Sequence, residues 1–161
     1  MPVLVPMSEA SFAAFQAIAV AGYADQNVAS GRWPAEGALE RSRAQHDKLL
    51  PQGLATPDNH FFEIRDEASH AVVGSLWVAI VDHSGTRIAF VYDIRIDEAS
   101  RRQGHAKRAF KALETFVKSL GLSIIGLHVF AFNADARALY DSLGYSVTSI
   151  NMHKHLADDD E

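Results

Sequence analysis

Two stretches of the chain carry residue types with more chemical capacity than an ordinary helix start. The first is Arg101-Arg102-Gln103-Gly104-His105-Ala106-Lys107, placed where a strand gives way to a helix. A helix start leaves about four N–H groups unpaired and carries roughly half a positive charge, so it attracts phosphate. Gly104 and the small Ala106 let the backbone approach a pyrophosphate with no long side chain in the way. From Arg101 to Lys111 there are five Lys or Arg, one His and no acid. That positive island would suit a ligand with several phosphate charges; a solvated basic helix start is the competing reading. The second stretch is Asn133-Ala134-Asp135-Ala136-Arg137-Ala138-Leu139-Tyr140, followed by Leu143-Gly144-Tyr145. Asn133 is a good N-cap, and Asn133, Ala136 and Tyr140 share one helical face beside a Leu139/Leu143 stripe. Such a face reads either as a site wall, with Ala leaving room and Tyr supplying a hydroxyl, or as a capping Asn beside a half-buried structural Tyr.

Several chemistries are excluded by what is absent. The chain has no Cys, which removes disulfides, thiolate zinc sites, iron–sulfur clusters and a cysteine nucleophile. No Gly-Lys-Ser/Thr follows the glycine loop, no G-x-G-x-x-G occurs, and no G-x-S-x-G elbow marks a hydrolase. His153-x-His155 would put two rings on one strand face, but no carboxylate converges with them, so no metal is expected.

The elements that must position these stretches follow from periodicity. Residues 1–7 read as a short strand (Val3, Val5) ended by Ser8 as an N-cap. Phe12, Phe15, Ile18 and Ala19 then recur at helical spacing, with Gly22 weakening the pattern and Gly31 closing it. Pro34 suits the first position of a second helix running to about Leu50, before Pro51 and Gly53. Residues 61–65, 71–81 and 88–96 read as an antiparallel meander with turns at 66–69 and 82–86. A helix over 104–120 follows, with Ala106, Phe110, Leu113, Val117 and Leu120 facing inward and Gly121 as its stop. A strand at 123–130, a helix at 133–143 and a last strand at 145–153 complete the chain. Strands 88–96 and 123–130, joined by one helix, read as a parallel pair. The fold class is therefore α/β (α+β): a mixed, mostly antiparallel sheet with about four flanking helices.

Length and composition agree. The chain has 161 residues, 48% hydrophobic and 22% charged, with ten Gly and five Pro. That is one domain, 1–157, able to bury a core without staples, ending in an acidic loose tail at 158–161. Fifteen Lys and Arg against 20 Asp and Glu give a net charge of −5, so nucleic acid is not an expected partner. No apolar run reaches the roughly 18 residues a membrane helix needs, and the first Lys or Arg is Arg32, so no basic signal region exists. A cytoplasmic location, with no membrane partner, is expected.

In order and spacing the two stretches resemble the GCN5-related N-acetyltransferase (GNAT) superfamily. Its acetyl-CoA loop, Arg/Gln-x-x-Gly-x-Gly/Ala, is matched by Arg101, Gly104 and Ala106. Its following helix, Asn-x-x-Ala-x-x-x-Tyr ending in Gly-Phe/Tyr, is matched by Asn133, Ala136, Tyr140, Gly144 and Tyr145. The closing Met152-x-Lys154-x-Leu156 is also similar, and Ala106 stands where Gly is commoner. The resemblance implies that strands 88–96 and 123–130 splay apart with acetyl-CoA in the gap. Its pantetheine would pair with backbone at Ile94, Arg95 and Ile96, and its pyrophosphate would lie on the amides from Arg102 through Gln103, Gly104, His105 and Ala106 to Lys107. Asn133 and Tyr140 would flank the thioester. A homodimer is usual for such families and is the expected assembly.

Without Cys no acetyl-thiol intermediate can form on the chain, so direct attack by an amine within a ternary complex is the preferred expectation. An amine of pKa about 10.4 loses its proton at a cost of roughly 4–5 kcal/mol at pH 7, which a base can share. Tyr140 is the candidate donor to the departing thiolate. Asp93 is a candidate base, although strand alternation could equally turn it away. Glu98 would serve the loop alone, His128 is a second base candidate on its strand, and His60 has no assigned role. Trp33, Tyr23, Trp77 and Tyr92 either line an acceptor pocket or belong to the core. The acceptor would be a small-molecule amine or a protein N-terminal amine. Two other function classes remain: an acyl-CoA sensor with weak or no turnover, which would not need Tyr140, and a nucleic-acid binder using the 101–111 island.

Overall fold

A computed structural model describes residues 2–158; Met1 and residues 159–161, most of the expected acidic tail, lie outside the described residues. Five strands, β1 (Leu4–Pro6), β2 (Asn59–Arg65), β3 (Val72–His83), β4 (Thr86–Ile96) and β5 (Ile125–Leu127), form one sheet in that order. The β1–β2, β2–β3 and β3–β4 pairs are antiparallel, and β4–β5 is parallel. Four α-helices among the described residues accompany it: α1 (Glu9–Ala29), α2 (Ala38–Leu49), α3 (His105–Ser119) and α4 (Ala134–Ser142). None of the described helices is long and apolar enough to cross a membrane.

Alternation along the strands builds two cores. Phe62, Ile64, Leu76, Val78, Ala89 and Val91 pack on α3 through Ala109, Phe110, Leu113 and Val117. On the other face Phe61 and Trp77 pack against Phe12, Phe15 and Ala19 of α1. Trp77 is 2% exposed and is surrounded by the rings of Phe61, Phe15 and Tyr92. Its indole N–H donates to Asn59 Oδ1 at 2.9 Å, so the one polar atom of that ring is satisfied. Ser8 caps α1 by accepting from the Ser11 amide at 3.2 Å, and Ser11 Oγ donates to Glu63 Oε1 at 2.6 Å, tying the helix start to β2.

Four expectations need correction. The second helix starts at Ala38 rather than Pro34, because Gly37 at φ 73° is its cap and a left-handed residue cannot lie inside a helix. Leu120 lies past the end of α3 and is exposed, so the buried stripe is His105, Ala109, Phe110, Leu113 and Val117. The strand expected at 123–130 pairs only over Ile125–Leu127. The last strand, 145–153, does not form. After α4 the Tyr145 amide turns back to the Tyr140 carbonyl at 3.0 Å, and the ring packs on Phe110. The chain beyond leaves Val147, Ile150, Met152 and Leu156 exposed.

β3 and β4 approach so closely at Gly74 that a Cβ there would lie 2.0 Å from the Arg95 carbonyl oxygen. Gly74→Ala should therefore lower stability by at least about 1–3 kcal/mol, the usual range for overpacking, because backbone must move. Chemical denaturation showing no loss would refute this reading of the β3–β4 contact.

Candidate active site

The pairing of β3 with β4 changes step in the middle. Trp77 opposes Asp93 and Val78 opposes Val91, which leaves Tyr92 as an extra residue on β4. Such a bulge bends its strand and re-aims the side chains after it. Ala89 and Val91 face α3 before the bulge, and Ile94 and Ile96 pack on that same core after it. Strict alternation would have put Asp93 and Arg95 there instead. The bulge moves both to the Trp77 face, the face of α1, which answers the question that alternation left open about Asp93.

The bulge is also where β4 and β5 part. Their ladder runs Ala89↔Ile125, Phe90↔Gly126, Val91↔Leu127 and stops. From Tyr92 to Ile96 the backbone edge of β4 has no strand on that side among the described residues, so it can pair with an extended ligand. Ile94 and Ile96 thus offer backbone to the gap while their side chains stay in the α3 core.

Tyr140 approaches this gap from α4. Its ring packs edge-on to Phe110 at 5.6 Å and to Tyr145 at 5.8 Å. Burial raises its pKa, and the nearby Asp93 carboxylate raises it further. Burial likewise raises the Asp93 pKa, against smaller opposing effects of Arg95 and His46. Asp93 Oδ2 is sealed from solvent and has no hydrogen-bond partner among the described residues. A buried carboxylate oxygen left unpaired is costly to folding, and it points to a group that arrives with substrate. Tyr145 is pushed up to about 12, chiefly by burial and then by Glu114 and Tyr140. It is therefore a poorer proton donor than Tyr140. Asn133 caps α4, its Oδ1 accepting from the Ala136 amide at 3.3 Å, so that oxygen positions the helix. Ala136 is half-buried.

At the far end of the gap the loop before α3 is shaped for an anion. Arg102 at φ 64° and Gly104 at φ 80° both adopt left-handed backbone, the alternation that makes amide nests. Among the described residues the amides from Arg102 to Lys107 have no acceptor; the first helical bond is Arg108 N–H to the Gly104 carbonyl at 3.1 Å. Arg101 Nε holds the Ile96 carbonyl at 3.0 Å, fastening the loop to the end of β4. His105 is buried rather than facing a ligand. Arg108 donates to the Gln103 carbonyl at 2.7 Å and meets His105 Nδ1 at 3.1 Å. Because Arg can only donate, that nitrogen is the acceptor and the ring proton sits on Nε2. Nε2 faces Asp66 Oδ2 at 3.8 Å. Asp66 accepts in turn from the Ala68 and Ser69 amides at 2.9 and 2.8 Å, and these bonds, led by Ser69, lower its pKa. The β2–β3 turn thus supports the loop through a buried histidine. Sequence reasoning missed Asp66, because nothing local links that turn to a distant helix start.

The other candidates lie apart from the Asp93–Tyr140 gap. Glu98 is exposed in a single 3-10 turn. His60 packs on Phe62 and Phe116, on the α3 side. His128 stands against Phe130, its pKa lowered by burial and then by Arg32. The His153 and His155 rings are 5.1 Å apart, and no group of three potential metal ligands gathers among the described residues. Tyr23, Trp33, Trp77 and Tyr92 do form one connected wall, completed by His46. Trp33 meets Tyr23 at 5.5 Å, Tyr23 meets His46 at 5.8 Å, His46 meets Trp77 at 5.7 Å, and Trp77 stacks on Tyr92 at 4.6 Å.

Residues 26–145 match the acetyltransferase (GNAT) family. Two proteins of Bacillus subtilis (strain 168) align with nearly the whole chain. The uncharacterized N-acetyltransferase YycN is 35% identical over 153 residues, covering 95% of this chain and 97% of its own. The uncharacterized N-acetyltransferase YdgE is 33% identical with the same coverage. The crystal structure of the YycN acetyltransferase superposes with a TM-score of 0.90 at 34% identity, over 96% of this chain and 98% of that one.

Removing the histidine under the loop should weaken anion binding without unfolding the chain. His105→Leu keeps an apolar body there but leaves Arg108 without its second acceptor. Its dissociation constant for CoA, used as a polyphosphate probe in calorimetry, should rise about tenfold, equivalent to about 1.4 kcal/mol. An unchanged constant in the folded variant would remove Asp66 and His105 from the binding site.

Proposed function

This chain belongs to the GNAT acetyltransferase family, and we propose that it moves an acetyl group from acetyl-CoA to an amine by direct attack in a ternary complex. The observation that carries this reading is the bulge at Tyr92. It brings a carboxylate, Asp93, without a partner among the described residues, to a gap that the phenol of Tyr140 approaches from α4, and the open strand edge of that gap leads to the amide nest at residues 102–107. The donor fits that layout: a long chain with amides for the β4 edge and a pyrophosphate for the nest. When bound, it supplies the activated acetyl thioester.

The residues then divide the work. Asp93 takes the proton that a protonated amine must lose, a step costing roughly 4–5 kcal/mol at pH 7 for an amine of pKa about 10.4. Its pKa, raised by burial, makes it a stronger base than an ordinary carboxylate. Tyr140, whose pKa is raised, holds its proton at neutral pH, gives it to the departing thiolate, and takes up the second proton that the amine nitrogen sheds as the amide forms. The apolar packing of Phe110 and Tyr145 keeps that hydroxyl oriented. In this reading the acceptor enters from the α1–α2 side, past the Trp77–Tyr92 wall, and is a small-molecule amine or a protein N-terminal amine. The expected cytoplasmic setting and homodimer belong to the same reading.

Tyr140→Phe keeps the ring and should lower kcat by roughly 10²–10⁴ with CoA affinity kept. Because the bond forms in the transition state, kcat/KM should fall with kcat. Full turnover by Tyr140→Phe at saturating acceptor would instead favour the acyl-CoA sensor reading.

Asp93 is active only when unprotonated. Thus kcat/KM should fall as pH drops through its elevated pKa. Asp93→Asn should erase the lower limb and lose roughly 10²–10⁴ in rate. A pH profile identical to the wild type would show that another group takes the proton.

A further inference from the structure

The residue three places after the bulge has no structural partner among the described residues. Arg95 opposes Ser75 on β3 and points to the α1 face. Its guanidinium reaches α1 at Gly22, where a Cβ would lie 3.0 Å from Nη2. Among the described residues it makes no hydrogen bond and no ion pair, although five N–H donors on a half-buried fork strongly favour one. Glu63, the acid nearest in register, is engaged by Ser11 and Arg65. Asp93 lies on the same face two residues earlier, outside the 4.0 Å that would make an ion pair. Two residues along a strand span roughly 7 Å, about the reach of a small molecule carrying a group at each end.

Other cations lie along the same wall. Arg41 sits 5.3 Å from the Trp33 ring, its Nη1 buried without a partner. Arg32 sits 6.0 Å from the Phe130 ring. A polycationic acceptor would meet these charges unfavourably, whereas an anion would be attracted.

We propose that Arg95 receives a carboxylate of the acceptor, so that the substrates are amines carrying a carboxylate a few atoms from the nitrogen, as in amino acids or short peptides. This inference rests on the acetyl-transfer reading for the amine at Asp93, but its anion site is testable without turnover. A planar guanidinium matches a carboxylate with two parallel bonds. Gly22 is then a specificity feature: its missing side chain leaves the space the guanidinium occupies. The acceptor's carboxylate and amine would engage Arg95 and Asp93 together, the second a buried carboxylate oxygen with no partner among the described residues.

The test uses two probes that resemble the product, N-acetyl-L-phenylalanine and its carboxamide, titrated calorimetrically into the full chain saturated with CoA. The acid should bind at least tenfold more tightly than the amide. Arg95→Gln should bring that ratio to about one, and Arg95→Lys, which keeps charge but loses the fork, should be intermediate. Gly22→Ala gives a check that does not rely on removing the charge. Ala is the better helix former by about 1 kcal/mol, so α1 should not be weakened, yet the displaced guanidinium should lower the ratio several-fold. An acid that binds no better than its amide, or a ratio that survives Arg95→Gln, overturns the proposal. Acetylation of L-phenylalanine and phenethylamine by the wild type separates the two readings. Preference for the acid in binding without acetylation of either amine would sink the transferase reading alone. Equal acetylation of both amines would sink the carboxylate site alone.

Discussion

At Trp77 the strand β3 meets Asp93, and one residue further on Val78 meets Val91, leaving Tyr92 over. The core on the α3 side requires this step. Ala89, Val91, Ile94 and Ile96 all pack there, and no uninterrupted period of two can bring 91 and 94 to one face. Without the extra residue, Asp93 and Arg95 would enter an apolar cluster and the two isoleucines would turn out of it. Each isoleucine is worth roughly 1.5–3 kcal/mol when buried, and an unpaired charge in apolar surroundings costs more than that. Hydrophobic packing on one face thereby selects the register that turns the ionisable groups to the other. The gap between β4 and β5 begins at the same residue. Strand separation, the exposed backbone edge and the placement of Asp93 share one local cause.

Binding and chemistry rest on different supports. The anion nest is fixed by Arg101 on the end of β4 and by the chain from Asp66 through His105 and Arg108 to the Gln103 carbonyl. The reacting end is fixed by the bulge and by the Phe110–Tyr140–Tyr145 cluster. β4 is the one element common to both, and Gly74 lets β3 approach it closely enough to hold it. A change in the loop should accordingly act on donor affinity, while a change around Tyr140 should act on the chemical step.

What could be read directly from the sequence was local. The helix-start glycine with its cations, the Asn133–Tyr140 face and the Ser84-Gly85 turn, whose φ values of 54° and 87° suit a two-residue hairpin, each depend on a few consecutive residues. The side on which Asp93 stands was not legible, because a bulge leaves no mark in an apolar pattern that simply shifts phase. The contact of Arg95 with Gly22 and the support of His105 by Asp66 join residues distant in sequence, so no spacing rule could reach them. The last segment misled for a different reason. Val147 and Ile150 have strand-forming character, but Tyr145 is drawn back to α4, its amide on the Tyr140 carbonyl and its ring on Phe110, and the segment beyond it joins no strand among the described residues.

The electrostatics of the gap also order the proposed proton transfers. Asp93 and Tyr140 would both be negative when ionised, and the carboxylate makes the phenol harder to ionise. With both raised by burial, two negative charges in the gap at once are disfavoured, and in the proposed mechanism the carboxylate carries the one. Once Asp93 takes the amine proton, that charge is neutralised and its repulsion on the phenolate disappears. The same event that frees the nucleophile therefore lowers the barrier to proton release from Tyr140. Donation to the departing sulfur becomes easiest after the amine has given up its proton. Trp77 stacked on Tyr92 on one side, and Phe110 packed on Tyr145 on the other, line this pair with aromatic surface, which strengthens the coupling between the two charges.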